Sequence, residues 1–73
     1  MTYWKVRKSG KKALIYSDME CTILSKESYV PGTYFYGYEV ASGTIKINGI
    51  NGYVKQYVHG KANIKHVYKV NKS

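Results

Sequence analysis

The sequence predicts an all-β domain, a small barrel of about five to seven short antiparallel strands. Three observations predict it. Nine tyrosines, with many valines, isoleucines and threonines, favour extended backbone. Seven glycines punctuate short alternating runs, where tight turns need them. No stretch longer than about ten residues carries apolar positions at helical spacing. The 73 residues make a single domain, 1–73, with its core expected over residues 13–58 and a basic strand on either flank. A chain this short buries only roughly 60% of its unfolded surface, so its core is thin. Closing the sheet on itself removes edges that so small a chain could not otherwise cover.

The elements follow in order. Residues 2–6 alternate and give a first strand containing Trp4. Residues 7–12, RKSGKK, form a polar turn around Ser9-Gly10, and residues 13–16 a short apolar strand. Asp18 lies in a polar bend. Residues 21–24 are apolar again, with Cys21, Ile23 and Leu24 as expected core positions, and residues 26–28 read as a charged turn. Val30-Pro31-Gly32 suits a type II turn, proline fixing φ and glycine accepting a positive one. Residues 33–40 form the next strand, and Ala41-Ser42-Gly43 turns the chain. Residues 44–48 put Ile45 and Ile47 on one face and Thr44 and Lys46 on the other. Asn48-Gly49 and Asn51-Gly52 are turn dipeptides. Residues 53–55 are a short strand and 56–58 a tight turn. His59-Gly60-Lys61 is a loop, and residues 63–70 alternate as one closing strand, with His66 half-buried.

Twelve Lys and Arg stand against four acids, a net charge of +8. The acids Asp18, Glu20, Glu27 and Glu39 all lie in the middle. Residues 1–17 carry five cations and residues 40–73 carry six, neither with an acid. Two basic arms brought together make a face suited to a polyanion: nucleic acid phosphate, teichoic acid or an anionic membrane surface. Eleven lysines to one arginine argue against base-edge or bidentate phosphate recognition. A plain solubilising surface accounts for the same charge.

The chemistry-bearing residues are few. Cys21 is the only cysteine, which excludes an intrachain disulfide and a structural thiolate zinc site. No pair of residues has metal-ligand spacing. Cys21 with His59 or His66 offers in principle a nucleophile–base pairing, but Cys21 sits in an apolar run where a buried thiol is the ordinary state. The expectation is a non-enzyme with no cofactor, no catalytic residue and no metal. No apolar run approaches a signal peptide or a membrane span, so no membrane insertion is expected.

The aromatic residues carry more. On a strand, Tyr34, Tyr36 and Tyr38 share one face, and Phe35, Gly37 and Glu39 the other. A charged residue facing inward is uncomfortable at Glu39, unless a bulge near Gly37 reverses the phase. Exposed tyrosines stack on sugars, lie along peptides and donate hydrogen bonds at low conformational cost. They serve equally as a core or a subunit interface. Trp4 and Tyr3 are further aromatic candidates, Trp4 as either core or ligand platform.

The central stretch resembles the bacterial SH3-type domain (SH3b), a cell-wall-binding module of bacterial and phage peptidoglycan hydrolases. The matching pieces are Pro31-Gly32-Thr33, then Gly43-Thr44-Ile45-Lys46-Ile47, then Asn48-Gly49, Gly52-Tyr53-Val54-Lys55 and Tyr57-Val58. The likeness spans residues 13–58, and its Gly-Tyr-Val ending is the most telling part. Leu14-Ile15-Tyr16 stands where the family often has Asn-Val-Arg. Thr44 replaces the usual tryptophan, and the tail after Val58 runs beyond the usual end.

The resemblance implies an SH3-like barrel. It implies that Phe35 and Gly37 face the core, which leaves Tyr34, Tyr36 and Tyr38 outside, and that Tyr16, Tyr53 and Tyr57 are largely structural, with Tyr16 and Tyr57 edging a groove. The ligand-binding residues expected are therefore Tyr34, Tyr36, Tyr38, Trp4, Tyr16 and Tyr57. The function implied is a non-catalytic module that targets a hydrolase, such as a phage endolysin, to Gram-positive peptidoglycan peptide or wall glycopolymer. Its partners would be that wall and a hydrolase catalytic domain or full-length endolysin. Some endolysins make such a module separately, from an internal start; a Met-initiated chain of this length suits that arrangement and equally suits a fragment of a longer protein. Synthesis is expected in the bacterial host cytoplasm without a signal peptide, and action at the cell wall. Two other readings stand beside it: a small basic nucleic-acid-binding barrel, and a homo-oligomer whose tyrosines form the interface.

Overall fold

The computed structural model describes residues 1–8, 10–58 and 61–70. Nine strands follow in order: β1 (Thr2–Val6), β2 (Ala13–Tyr16), β3 (Leu24–Tyr29), β4 (Tyr34–Ala41), β5 (Thr44–Ile47), β6 (Tyr53–Lys55), β7 (Tyr57–Val58), β8 (Lys61–Lys65) and β9 (Val67–Lys69). Seven form one antiparallel sheet in the order β3-β2-β6-β5-β4-β1-β9, and β7 pairs with β8 alone. The all-β class is as the composition predicts.

Alternation along each strand sends one face inward. Trp4 and Val6 of β1, Ala13 and Ile15 of β2, Phe35 of β4, Ile45 and Ile47 of β5, Val54 of β6 and Val67 of β9 form a single buried cluster. Burying their apolar surface is the main stabilising term of the fold. One sheet makes such a cluster only by wrapping around it. The wrap is visible in Tyr29 of β3, whose ring lies 5.1 Å from that of Phe35 in β4, although β2, β6 and β5 separate the two strands in the sheet.

The edge strands β3 and β9 do not pair with each other, so the expected closure is not made by a strand ladder. The barrel is not closed; the turn between β3 and β4 is tied instead to the end of β1. Gly32 N–H donates to the Val6 carbonyl at 2.9 Å, and Val6 N–H to the Thr33 carbonyl at 2.8 Å. That turn has the predicted type II character: Gly32 has φ +90° and Thr33 N–H reaches the Val30 carbonyl.

Several local expectations are corrected. Ile23 and Leu24 are about 60% exposed, and only Cys21 of that run is buried. The Asp18 carboxylate accepts from the backbone N–H groups of Thr22 and Ile23, and Ser17 N–H binds the Ile23 carbonyl. The run therefore closes as a loop around Asp18 instead of extending as a strand. Residues 26–28 are not a turn but the middle of β3. An edge strand exposed on both faces tolerates their polarity.

Residues 56–58 are not a tight turn. Gln56 is a buried bend and β7 follows it. The closing strand is broken at His66, because the Gln56 carbonyl accepts both His66 N–H and Val67 N–H. The turn expected at Ser9 and the loop at His59-Gly60 lie outside the described residues. Asn51-Gly52 serves packing more than turning: Gly52 is buried, and a β-carbon there would lie 2.7 Å from Ile15 Cγ2.

Candidate functional site: an outward tyrosine row and a basic groove

The β4 strand buries Phe35 and Gly37 and exposes Tyr34, Tyr36 and Tyr38, at 46%, 39% and 48% of their surface. The phase holds because Gly37 packs closely. A β-carbon at Gly37 would meet the Lys46 carbonyl oxygen at 2.5 Å, so the position admits no side chain and its neighbours must face out. No bulge forms at Gly37. The register shift lies between Glu39 and Ala41, where β4 has run past the core, and Glu39 is solvent-exposed there. The inward charge is thus avoided by length, not by a phase change.

Pairing sets the neighbours of the row. Tyr3 of β1 lies opposite Tyr36, with ring centroids 4.6 Å apart, and stacks on Tyr34 at 5.3 Å. Lys5 lies between Tyr34 on one side and Tyr68 of β9 on the other. Its Nζ sits 5.0 Å from the Tyr34 ring centre. Hydrogen bonding and charge interaction with Tyr34, and then with Tyr68, hold the Lys5 ammonium above its ordinary pKa. At the other end Lys46 of β5 lies between Tyr38 and Tyr53. Its Nζ stands over the Tyr53 ring at 5.6 Å and donates to the Ile47 and Ile50 carbonyls. A lysine is therefore flanked by two tyrosines at both ends of the row.

Tyr16 and Tyr57 belong to a second feature. With Arg7, Gly10, Lys11, Lys12, Ala13, Leu14, Lys55 and His66 they line a groove of about 510 Å³. Tyr16 pairs with Tyr53 across β2 and β6, so the outer surface of the sheet runs from the row into this groove. Lys55 Nζ stands over the Tyr16 ring at 5.7 Å. The Tyr57 ring packs on Gly43, where a β-carbon would come within 3.2 Å of it. His66 is half-buried, as expected, and its Nε2–H donates to the Lys11 carbonyl.

Trp4 does not belong to either surface. It is fully buried, with Nε1 donating to the Gly37 carbonyl at 3.2 Å, so its expected place among the ligand-binding residues is corrected to core. The alternation of β1 decides this: Trp4 and Val6 point inward, and Tyr3 and Lys5 outward. Sequence reasoning missed Lys5, Lys46 and Tyr68 as members of the row. The period of two in TYWKV carried the signal for Lys5 once Trp4 was assigned inward. The others depend on pairing between strands distant in sequence.

Among the described residues, no three of His, Cys, Asp and Glu gather to hold a metal ion. Cys21 is buried, which pushes its thiol pKa up, and it does not line the groove that holds His66. Its pairing with His59 lies outside the described residues. No helix among the described residues is long and apolar enough to cross a membrane. The arrangement offers aromatic faces, hydroxyls and ammonium groups. No family model, no curated protein and no solved structure matches the chain.

Proposed function

We propose that the chain is a non-catalytic wall-binding module of the bacterial SH3 type, holding a peptidoglycan hydrolase on a Gram-positive surface. The observation that carries this reading is the outward row Tyr34-Tyr36-Tyr38, backed by Tyr3 and flanked by Lys5 and Lys46. Its rings offer apolar faces to a sugar or a peptide backbone, and its hydroxyls fix orientation. The lysines add attraction for an anionic wall polymer that weakens with salt. The likeness of residues 13–58 to SH3b domains points the same way. Tethering through such a surface raises the local concentration of the attached hydrolase without further contacts. The hydrolase would be an endolysin, reached after synthesis in the host cytoplasm.

One observation favours a second reading. A cation beside each end of an exposed aromatic row also suits single-stranded nucleic acid, since bases stack on tyrosine without regard to sequence. Fusion to a fluorescent protein separates the two. Binding is scored on Gram-positive cells, on walls with and without teichoic acid, and on a single-stranded oligonucleotide. The wall reading expects decoration that disappears when Tyr34, Tyr36 and Tyr38 are replaced by Ser. No decoration, together with tight and salt-sensitive oligonucleotide binding, overturns it.

A further inference from the structure

The basic groove that adjoins the row through Tyr16 and Tyr53 has its own lining and charge. Among the described residues, four cations line it, Arg7, Lys11, Lys12 and Lys55, and no carboxylate does. Like charges gather there without a compensating acid, and such a concave surface focuses positive potential. Its volume of about 510 Å³ suits a short segment of a polymer.

Backbone contacts tie one wall of the groove together. Arg7 N–H donates to the His66 carbonyl at 2.8 Å, and His66 Nε2–H returns to the Lys11 carbonyl. The segment bearing Arg7, Lys11 and Lys12 is thereby clasped at two points by one residue. His66 is anchored in turn by its own N–H, which donates to the Gln56 carbonyl at 2.7 Å. Ordering the backbone that carries these cations in advance lowers part of the entropy lost on binding.

We propose that this groove binds the phosphodiester backbone of a polyol-phosphate wall polymer, with Arg7, Lys11, Lys12 and Lys55 on the phosphates and Tyr16 and Tyr57 presenting hydroxyls and ring edges to the polyol. The choice of polymer rests on the wall-binding reading above; the choice of phosphodiester rests on the groove alone. The aromatic faces favour a chain without bases here. Lys55 stands over one face of the Tyr16 ring and Gly43 backs the Tyr57 ring, so each ring has at most one face left for a base, fewer than the row of three tyrosines on β4 offers. A flexible phosphodiester without bases needs charge and hydroxyl contacts, which the groove supplies.

Amide NMR titration of the full chain tests this, with a glycerol-phosphate oligomer and a single-stranded oligodeoxynucleotide of equal phosphate number as probes. The oligomer shifts the amides of residues 10–16, 55–57 and 66. The pair K11Q/K55Q weakens it by about tenfold or more, as loss of charge-assisted contacts to phosphate implies. The pair K26Q/K69Q removes the same net charge outside the groove and changes affinity by less than about twofold. Peak dispersion verifies that each variant folds, and K11Q/K12Q replaces K11Q/K55Q if loss of Lys55 disturbs Tyr16. Equal weakening by the groove and control pairs overturns the site, because net charge alone then explains binding. Stronger shifts from the oligonucleotide overturn the polymer assignment. Wall decoration by a chain whose groove ignores the oligomer overturns the groove alone. Groove binding by a chain that fails to decorate walls overturns the wall reading and leaves the phosphodiester site standing.

Discussion

The indole Nε1–H of Trp4 donates to the backbone carbonyl of Gly37 at 3.2 Å, joining residues 33 positions apart. Trp4 lies in β1 and Gly37 in β4, neighbouring strands of the sheet, and both residues are buried. The contact fixes the inward face of β4, and through it the outward face that carries the tyrosines. Two substitutions break it differently. Trp4→Phe removes the donor and leaves a cavity, at a cost of about 2–4 kcal/mol. Gly37→Ala drives a β-carbon into the Lys46 carbonyl oxygen and costs about 1–3 kcal/mol or more through strand separation. Urea unfolding of both variants measures the losses. A neutral Trp4→Phe would show that the indole is not the anchor.

The tyrosine row should be separable from the fold. Each of its rings is 39–48% exposed, so its contribution to stability comes from cross-strand contacts, mainly with Tyr3 and Lys5. Replacing Tyr34, Tyr36 and Tyr38 together by Ser is expected to cost about 1–2 kcal/mol, a few cross-strand pairs' worth, with a native-like far-UV spectrum. Unfolding of the triple variant would make the rings part of the core. A folded variant whose ligand affinity is unchanged would move the binding surface elsewhere.

How much of this was legible in the sequence depends on the range of the forces involved. The alternation in β4 and β5 is local, so the shared face of Ile45 and Ile47, the opposite faces of Phe35 and the tyrosines, and the type II turn at Pro31-Gly32 could be read directly, while the inward direction of Phe35 came from the SH3b resemblance. The loop around Asp18 could not, because a run of Cys, Thr, Ile and Leu has the composition of a strand. What turns it into a loop is one carboxylate accepting backbone donors four and five residues later. The break at His66 depends on the Gln56 carbonyl, which lies ten positions away. Within the site, the tyrosine row was readable, the Lys5 flank only once Trp4 was assigned inward, and the Lys46 flank not at all, since it depends on pairing between strands. The groove was visible only as two basic arms, since the clasp of Arg7 and Lys11 by His66 joins opposite ends of the chain.

Cys21 is expected to be chemically silent in the native state. It is 6% exposed, and burial, its largest influence, pushes the thiol pKa above the ordinary value. The thiolate is the reactive form, so a raised pKa and low access act together. Labelling by a thiol-specific disulfide reagent at about pH 8 should be slow in the folded chain and rapid in denaturant. Labelling as fast in the folded state as in the unfolded one would place the sulfur at the surface. The Cys21 backbone has φ +58°, a left-handed conformation that a β-carbon disfavours by about 1–2 kcal/mol. Cys21→Gly therefore relieves backbone strain while losing packing, and is expected to destabilise less than the lost thiol alone implies.

The pH dependence of stability should carry the signature of Asp18. Its carboxylate accepts from the Thr22 hydroxyl, from Thr22 N–H at 2.9 Å and from Ile23 N–H at 2.8 Å. The Thr22 hydroxyl first, and then the Ile23 N–H, hold its pKa below the ordinary value of 3.8. A carboxylate with a lowered folded pKa stabilises fully above its unfolded value. That contribution is lost as pH falls through the folded value, where the native state must also take up the proton. The difference in Tm between the parent chain and Asp18→Ala should thus be constant from neutral pH down to about pH 5, shrink through the region around pH 4, and be smallest in stronger acid. Asp18→Asn keeps one acceptor oxygen for the loop, so it should recover part of the neutral-pH Tm without titrating in that window. Circular dichroism melts at a series of pH values measure all three. A parent-to-alanine difference that stays constant into strong acid would mean that the ionised carboxylate does not hold the loop.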